Sequence, residues 1–369
     1  MSEAIRAMPP LHGGQFRDIA ARYGVPIEAF LDFSANINPD GPSSAVITTI
    51  QRALAEPATL GTYPDLELTE LKRVIADCAG VQPENVVVAN GFVPLLDAAL
   101  RALPIKRCLL PVPSFSEYRR TLESAAVAVT PYRLVPDDIF FYEPQAILES
   151  LLGSECDAVL LANPQNPSGA VCEVERMLRF LEMAKDHNIT VLLDEAFIDY
   201  CPAQSLILQA AAQPNLIVFR SVTKFFAVPG LRVAYAVCSA SRALMLNRSI
   251  APWPVTTLAS KGVCAALRDD AYAERSRSAN KRRRLWLKDQ FKKIGIETYP
   301  SATNFLLLRF PMEIDVSTLW ERMIVEEQIV LRSCANFEGL AAGHLRVAVR
   351  SEQENERLID SLRRVLASW

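Results

Sequence analysis

The chain of 369 residues has no apolar run long enough to span a bilayer, and its first residues lack the charged-then-apolar layout of a secretory signal. Membrane insertion and export are therefore not expected, and the expected compartment is the cytoplasm. The eight cysteines (78, 108, 156, 172, 201, 238, 264 and 334) have no close-paired spacing, which argues for buried free thiols and against a zinc site or a disulfide framework. A formal net charge of -3 gives no general attraction to nucleic acid or anionic lipid. The one basic run, Lys281 to Arg284, continues into Leu285-Trp286-Leu287 and reads as a solvated helix face. Neither an internal repeat nor a low-complexity linker interrupts the chain. Its length exceeds the usual single core, so two lobes are expected.

What is present is an alternation of short apolar runs with helical stretches. Residues 1–40 form an irregular arm containing His12-Gly13-Gly14 and Phe33-Ser34-Ala35-Asn36-Ile37-Asn38-Pro39, dense enough in turn-forming residues to lie across another part of the molecule. Residues 41–250 hold the strand candidates Val86 to Ala89, Cys108 to Val112, Val127 to Tyr132, Ala158 to Ala162, Val191 to Asp194, Leu216 to Phe219 and Arg232 to Cys238. These runs are apolar at successive positions, as strands covered on both faces must be, and helices such as Glu173 to Lys185 lie between them. The region is expected to be a mostly parallel α/β sheet. After Ala251-Pro252-Trp253-Pro254 the pattern becomes a long charged helix, a strand (Thr303 to Phe310), a helix (Val316 to Glu327), two strands (Ile329 to Ser333 and Leu345 to Arg350) and a last helix. Ser351 and Glu354 have capping-box spacing at its start. Residues 251–369 are thus expected to form a smaller α+β domain.

In open α/β sheets, ligands sit at the carboxyl ends of strands. Polar residues just past those ends make a consistent set here. Lys224 follows an apolar strand and is flanked by Ser221 and Thr223, with Arg232 eight positions on past Pro229-Gly230. A lysine in an apolar wall loses its proton readily and can condense with an aldehyde, while hydroxyls and a guanidinium can hold a phosphate. That combination suits pyridoxal 5'-phosphate. Asn90-Gly91 precedes a helix start and could cradle an anion. Phe115 could stack on a flat ring, although an aromatic residue at a strand end is more often core. Asn163-Pro164-Gln165-Asn166-Pro167-Ser168-Gly169 forms a rigid extended turn whose Asn166 amide can meet a ligand oxygen. Asp194, ending an apolar strand, needs a cation, and a protonated pyridine nitrogen would serve.

These motifs, together with Asp194-Glu195-Ala196-Phe197 and Pro229-Gly230-Leu231-Arg232, resemble the fold-type I pyridoxal-phosphate enzymes, the aspartate aminotransferase superfamily. Within it the chain is similar to the threonine-phosphate decarboxylases of cobalamin biosynthesis and their relatives, the histidinol-phosphate aminotransferases. Features that favour the first branch are His12-Gly13-Gly14, Asp32 to Pro39, Asp194 to Tyr200, Arg332-Ser333-Cys334-Ala335-Asn336-Phe337 and Leu345 to Ser351. The resemblance implies that Lys224 attaches covalently to the cofactor aldehyde and that Asp194 pairs with the ring nitrogen. It further implies that Asn166 contacts the ring oxygen and that Phe115 stacks. Asn90, Gly91, Ser221 and Arg232 would hold the phosphate, with Tyr63 reaching the site of a partner subunit in a homodimer. Arg346, Arg332, His12 and Asn36 would surround a substrate anion.

The chain departs from the family pattern at Phe92, Val93 and Pro94, where acidic or hydroxyl residues are usual, and at Phe197, where aminotransferases generally carry tyrosine. His344 and Gln15 also differ. The implied activity is decarboxylation of an O-phosphorylated amino acid, most simply O-phospho-L-threonine. The alternatives are a histidinol-phosphate-type aminotransferase, or action on another phosphorylated or phosphonate amino acid. A ligand-binding protein without turnover would need neither Lys224 nor Asp194.

Overall fold

Runs such as Val86-Val87-Val88 and Val191-Leu192-Leu193 place aliphatic side chains on both faces of any strand they form, so both faces must be covered. The computed structural model describes residues 12–141 and 143–369. The first eleven residues of the expected arm lie outside the described residues. Among the described residues the strands are Leu31–Asp32 (β1), Val86–Ala89 (β2), Arg107–Val112 (β3), Ala128–Arg133 (β4), Ala158–Ala162 (β5), Thr190–Asp194 (β6), Leu216–Ser221 (β7), Ala234–Val237 (β8), Glu297–Thr298 (β9), Phe305–Arg309 (β10), Ile329–Val330 (β11), Arg332–Ser333 (β12) and His344–Ala348 (β13).

Seven of them form one sheet in the order β2-β8-β7-β6-β5-β3-β4. β3 to β7 pair in parallel, and β8 alone runs against its neighbours β7 and β2. Strands β2, β5, β6 and β8 are buried at every position, whereas the edge strand β4 is mostly half-exposed or exposed and carries Pro131, as an edge tolerates. Helices cover both faces over separate apolar cores. Because β2 to β7 share one direction, their carboxyl ends meet along a single edge.

A second sheet, β12-β13-β10-β9, is antiparallel and lies over a third core with the last helix, Glu352–Leu366. Ser351 and Glu354 form the reciprocal cap expected of them. The single strand expected over Ile329 to Ser333 divides at Leu331: β11 pairs with β1 in a separate two-stranded sheet, while β12 pairs with β13. Likewise Arg232 stands outside its expected strand, with φ of 55°, at the end of the tight turn Pro229–Leu231. The basic run lies on the helix Asp270–Lys293, with Lys281 and Arg282 exposed and Arg283 and Arg284 half-buried. Arg282 and Arg283 pair with Glu352, and Arg284 donates to the Thr303 carbonyl.

One buried ion cluster braces the sheet edge. Arg220 of β7 donates to Glu195 at 2.9 Å and Asp199 at 2.8 Å, and fully buried Glu195 also accepts from Ser205 Oγ and the Leu206 amide. Desolvation pushes the Glu195 pKa up and opposes the charge on Arg220. The mutual attraction, with Asp199 the strongest charge on Arg220, keeps the guanidinium well above its ordinary range. Arg220→Ala would strand a buried carboxylate and is expected to cost about 3–5 kcal/mol of stability, read from denaturant unfolding.

Candidate active site

A cavity of about 360 Å³ opens where the carboxyl edge of the large sheet faces β12 and β13. Its lining includes twelve of the thirteen residues singled out from sequence: His12, Asn36, Asn90, Gly91, Phe115, Asn166, Asp194, Ser221, Lys224, Arg232, Arg332 and Arg346. The thirteenth, Tyr63, lies outside it, 79% exposed and stacked on Trp253 with ring centroids 4.6 Å apart.

Lys224 leaves β7 through a turn in which its Nζ donates to Ser221 Oγ at 2.9 Å, and Ser221 in turn meets Thr223 Oγ1 at 2.8 Å. Part of the side chain stays open to the cavity, yet the protein packed around Nζ desolvates it. Desolvation lowers the pKa from 10.5, with Arg232 adding to the fall and Asp194 opposing it. Condensation with an aldehyde requires the neutral amine. Recombination of apoprotein with pyridoxal phosphate should therefore speed up as pH rises, with a midpoint below the ordinary lysine value. A pH–rate profile of cofactor uptake checks this, and a midpoint at or above 10.5 would contradict it.

Asp194 ends β6 and is 6% exposed. One of its oxygens accepts from Tyr118 O–H at 2.5 Å and the other from the Ala196 amide at 2.8 Å. Desolvation raises its pKa, against the Tyr118 hydroxyl, the Lys224 charge and the Ala196 amide. Phe115 meets Tyr118 edge-on at 5.6 Å. Phe92 packs on Phe219 at 5.4 Å and Tyr118 at 5.5 Å, so its unusual side chain becomes part of an aromatic wall beside the carboxylate. Tyr118, to which the sequence pattern assigns no role, lies in the first turn of the helix Ser116–Ser124, three residues past the N-cap Phe115 whose ring it meets.

Asn166 sits in a loop fastened from within: Gln165 donates to the Pro113 carbonyl at 2.6 Å and accepts from Ser168, while Asn163 bridges both backbone groups of Cys172. Arg346 donates to Asn166 Oδ1 at 2.6 Å, which leaves the amide nitrogen of Asn166 as a donor for a ligand oxygen. Arg332 and Arg346 are direct cross-strand partners on β12 and β13, 5% and 7% exposed. Desolvation lowers both pKa values, and Arg332 adds to the fall of Arg346, to about 9. Their guanidinium groups pack over Phe337 and, for Arg346, also Phe305. Arg346 Nε and Asn36 Oδ1 are buried polar atoms with no hydrogen-bond partner among the described residues.

The arm crosses this cavity. Phe33 pairs its backbone with Val330 and Ala348, and the Asn38 amide donates to the Lys224 carbonyl at 3.0 Å. Gly13 lies so close to the Ser34 carbonyl that a Cβ would come within 2.1 Å of its oxygen, so only glycine fits. His12 is held by Glu117 at 3.0 Å. On the opposite side Gly91, with φ of 95°, opens the helix Phe92–Ala102, and a Cβ there would approach Arg232 to 3.1 Å. The helix N-terminus, Arg232 and the Ser221 and Thr223 hydroxyls thus converge as an anion cradle.

A desolvated lysine, an enclosed carboxylate and an anion cradle at the carboxyl edge of a parallel sheet define a fold-type I pyridoxal-phosphate-dependent enzyme. The chain belongs to the aminotransferase class I and II family, whose profile matches residues 28–362. It is 33% identical to the threonine-phosphate decarboxylase of Salmonella typhimurium, over 96% of both chains. It is 31% identical to histidinol-phosphate aminotransferase 2 of Pseudomonas aeruginosa, over 97% of this chain and 95% of that one. The crystal structure of the histidinol-phosphate aminotransferase from Clostridium acetobutylicum is 28% identical, with a TM-score of 0.85, covering 92% of this chain and 100% of that one. Pyridoxal 5'-phosphate is the cofactor. The residues fit it: a lysine of lowered pKa for the aldehyde, a buried acid for the ring nitrogen and the Gly91 cradle for the phosphate.

Proposed function

We propose that the protein decarboxylates an O-phosphorylated amino acid, most simply O-phospho-L-threonine, to the corresponding amino alcohol phosphate. The observation that carries this is the direct pairing of Arg332 with Arg346 on adjacent strands. Like charges placed opposite each other destabilise a sheet, and burial adds to the cost. A dianionic phosphate suits this pair, and Arg346 Nε, which has no hydrogen-bond partner among the described residues, can donate to it. The 33% identity to a threonine-phosphate decarboxylase points the same way.

When bound, pyridoxal phosphate accepts the electron pair left on Cα as a bond to that carbon breaks. Asp194 would hold the ring nitrogen and Asn166 the ring oxygen, with Phe115 stacking on the ring. Asn90, Gly91, Ser221 and Arg232 would hold the cofactor phosphate. Arg332, Arg346, His12 and Asn36 would grip the substrate phosphate and so orient the substituents of Cα. With the carboxylate oriented for cleavage, the bond lost would be C–C and the leaving group carbon dioxide. Lys224 Nζ would hold a proton and give it to Cα in place of the lost carboxylate. Phe197, with its ring centroid 5.8 Å from Nζ, offers an apolar wall and no hydroxyl.

A second reading, a histidinol-phosphate-type aminotransferase, is favoured by the 31% identical relative from Pseudomonas aeruginosa. Lys224 would then take the Cα proton instead. Carboxyl-labelled O-phospho-L-threonine separates the two: the first reading expects labelled gas and an amino alcohol phosphate, and a labelled keto acid would overturn it.

We also propose a cytoplasmic homodimer in which exposed Tyr63 serves the site of a second copy. Residues 1–40 then act as an arm, 41–250 as the cofactor-binding domain and 251–369 as the small domain. The position of Tyr63 outside the cavity of its own chain supports that reading.

A further inference from the structure

We infer that Tyr118 is a positioning residue that holds Asp194 in its ionised form and thereby keeps the cofactor's ring nitrogen protonated. The inference rests on the reading that Asp194 pairs with that nitrogen.

A carboxylate this enclosed is under pressure to take up a proton. Among the described residues each Asp194 oxygen has one hydrogen-bond donor: Tyr118 O–H on one, the Ala196 amide on the other. The amide is fixed by the backbone, so the hydroxyl is the donor that a side-chain change can remove. At 2.5 Å between two buried groups, its bond to a charged acceptor belongs to the stronger class. Its aromatic neighbours have a role in this. Phe92 and Phe115 pack against the Tyr118 ring, Phe219 packs behind Phe92, and Tyr118 and Asp194 are themselves buried, 2% and 6% exposed. Excluding water there strengthens the Tyr118 bond and leaves Asp194 dependent on it.

Without the hydroxyl, Asp194 becomes the stronger base. The proton it shares with the ring nitrogen then moves toward the carboxylate, and the ring becomes a weaker electron acceptor. Tyr118 need not touch the substrate to set the rate of bond cleavage.

The test uses holoenzyme loaded with pyridoxal phosphate labelled with nitrogen-15 in the ring. Wild type should give the resonance of a protonated pyridine. Tyr118→Phe keeps the ring and its packing and removes only the donor. Its signal should move toward neutral pyridine, with kcat on O-phospho-L-threonine down about tenfold and KM nearly unchanged. Tyr118→Leu, which also loses the ring, should show the same displacement with a lower Tm. A Tyr118→Phe signal identical to wild type would overturn the role of Tyr118 and leave that of Asp194 standing. A neutral pyridine in wild type itself would overturn the pairing of Asp194 with the ring, and the inference with it. The nitrogen signal is read without turnover, so neither outcome depends on having the right substrate.

Discussion

Replacing Lys224 with alanine is expected to lower kcat by at least about 10³-fold, because in the proposed reaction one side chain would both attach the cofactor and move the proton at Cα. Among the described residues that line the cavity, Lys224 is the lysine, and the other basic side chains are Arg232, Arg332, Arg346 and His12. A guanidinium keeps its proton at working pH and cannot take over as nucleophile. The Gly91 cradle, Ser221 and Arg232 are untouched by the change, so pyridoxal phosphate should still bind, with the absorption of the free aldehyde. Turnover and the visible spectrum of Lys224→Ala check both halves. Activity within tenfold of wild type would contradict the assignment.

Asp194→Asn should separate catalysis from stability. The amide is close in shape and can still accept from the Ala196 amide and meet the Tyr118 hydroxyl, but it cannot hold a pyridinium. A loss of about 10²–10³-fold in kcat is expected, on the scale of removing one preorganised electrostatic partner. In the apoprotein the sign reverses. Burial raises the Asp194 pKa above 3.8, so the folded chain binds this proton more tightly than the unfolded chain does. Stability from this group is therefore lost as pH rises from the ordinary carboxylate range through the raised value. The asparagine variant escapes that loss. Its apoprotein should match or exceed the wild-type Tm at neutral pH, with the difference shrinking as both are acidified toward about pH 4. Thermal melts of the two apoproteins across pH provide the check, and an asparagine variant that melts well below wild type at neutral pH would contradict it.

Much of the frame was legible because buried parallel strands leave a simple trace. Val86 to Ala89 and Ala158 to Ala162 match their strands residue for residue. The rule that ligands gather at strand carboxyl ends then led to Asp194, Asn166 and Lys224, which line one cavity. What was hidden depends on register and side-chain direction. Periodicity alone could not divide Ile329 to Ser333 between two sheets, because the division is made by the pairing partners, β1 and β13. Nor could it turn Arg232 out of its strand, since the sharp turn before it is a matter of backbone angles. Tyr118 was passed over because a tyrosine on an amphipathic helix has an ordinary explanation in packing. Arg220 left a better signal: a charge within Leu216-Ile217-Val218-Phe219-Arg220 requires a buried partner, and Glu195 and Asp199 follow the neighbouring strand.

The central claim concerns which bond to Cα is broken, and turnover number without a keto acid acceptor tests it most directly. Holoenzyme would be mixed with a large excess of O-phospho-L-threonine alone, with carbon dioxide and the cofactor spectrum followed together. A decarboxylase regenerates its cofactor in each cycle, so many equivalents of gas per site and an unchanged final spectrum are predicted. One equivalent of substrate consumed without gas, leaving the cofactor as its amine, would contradict the claim.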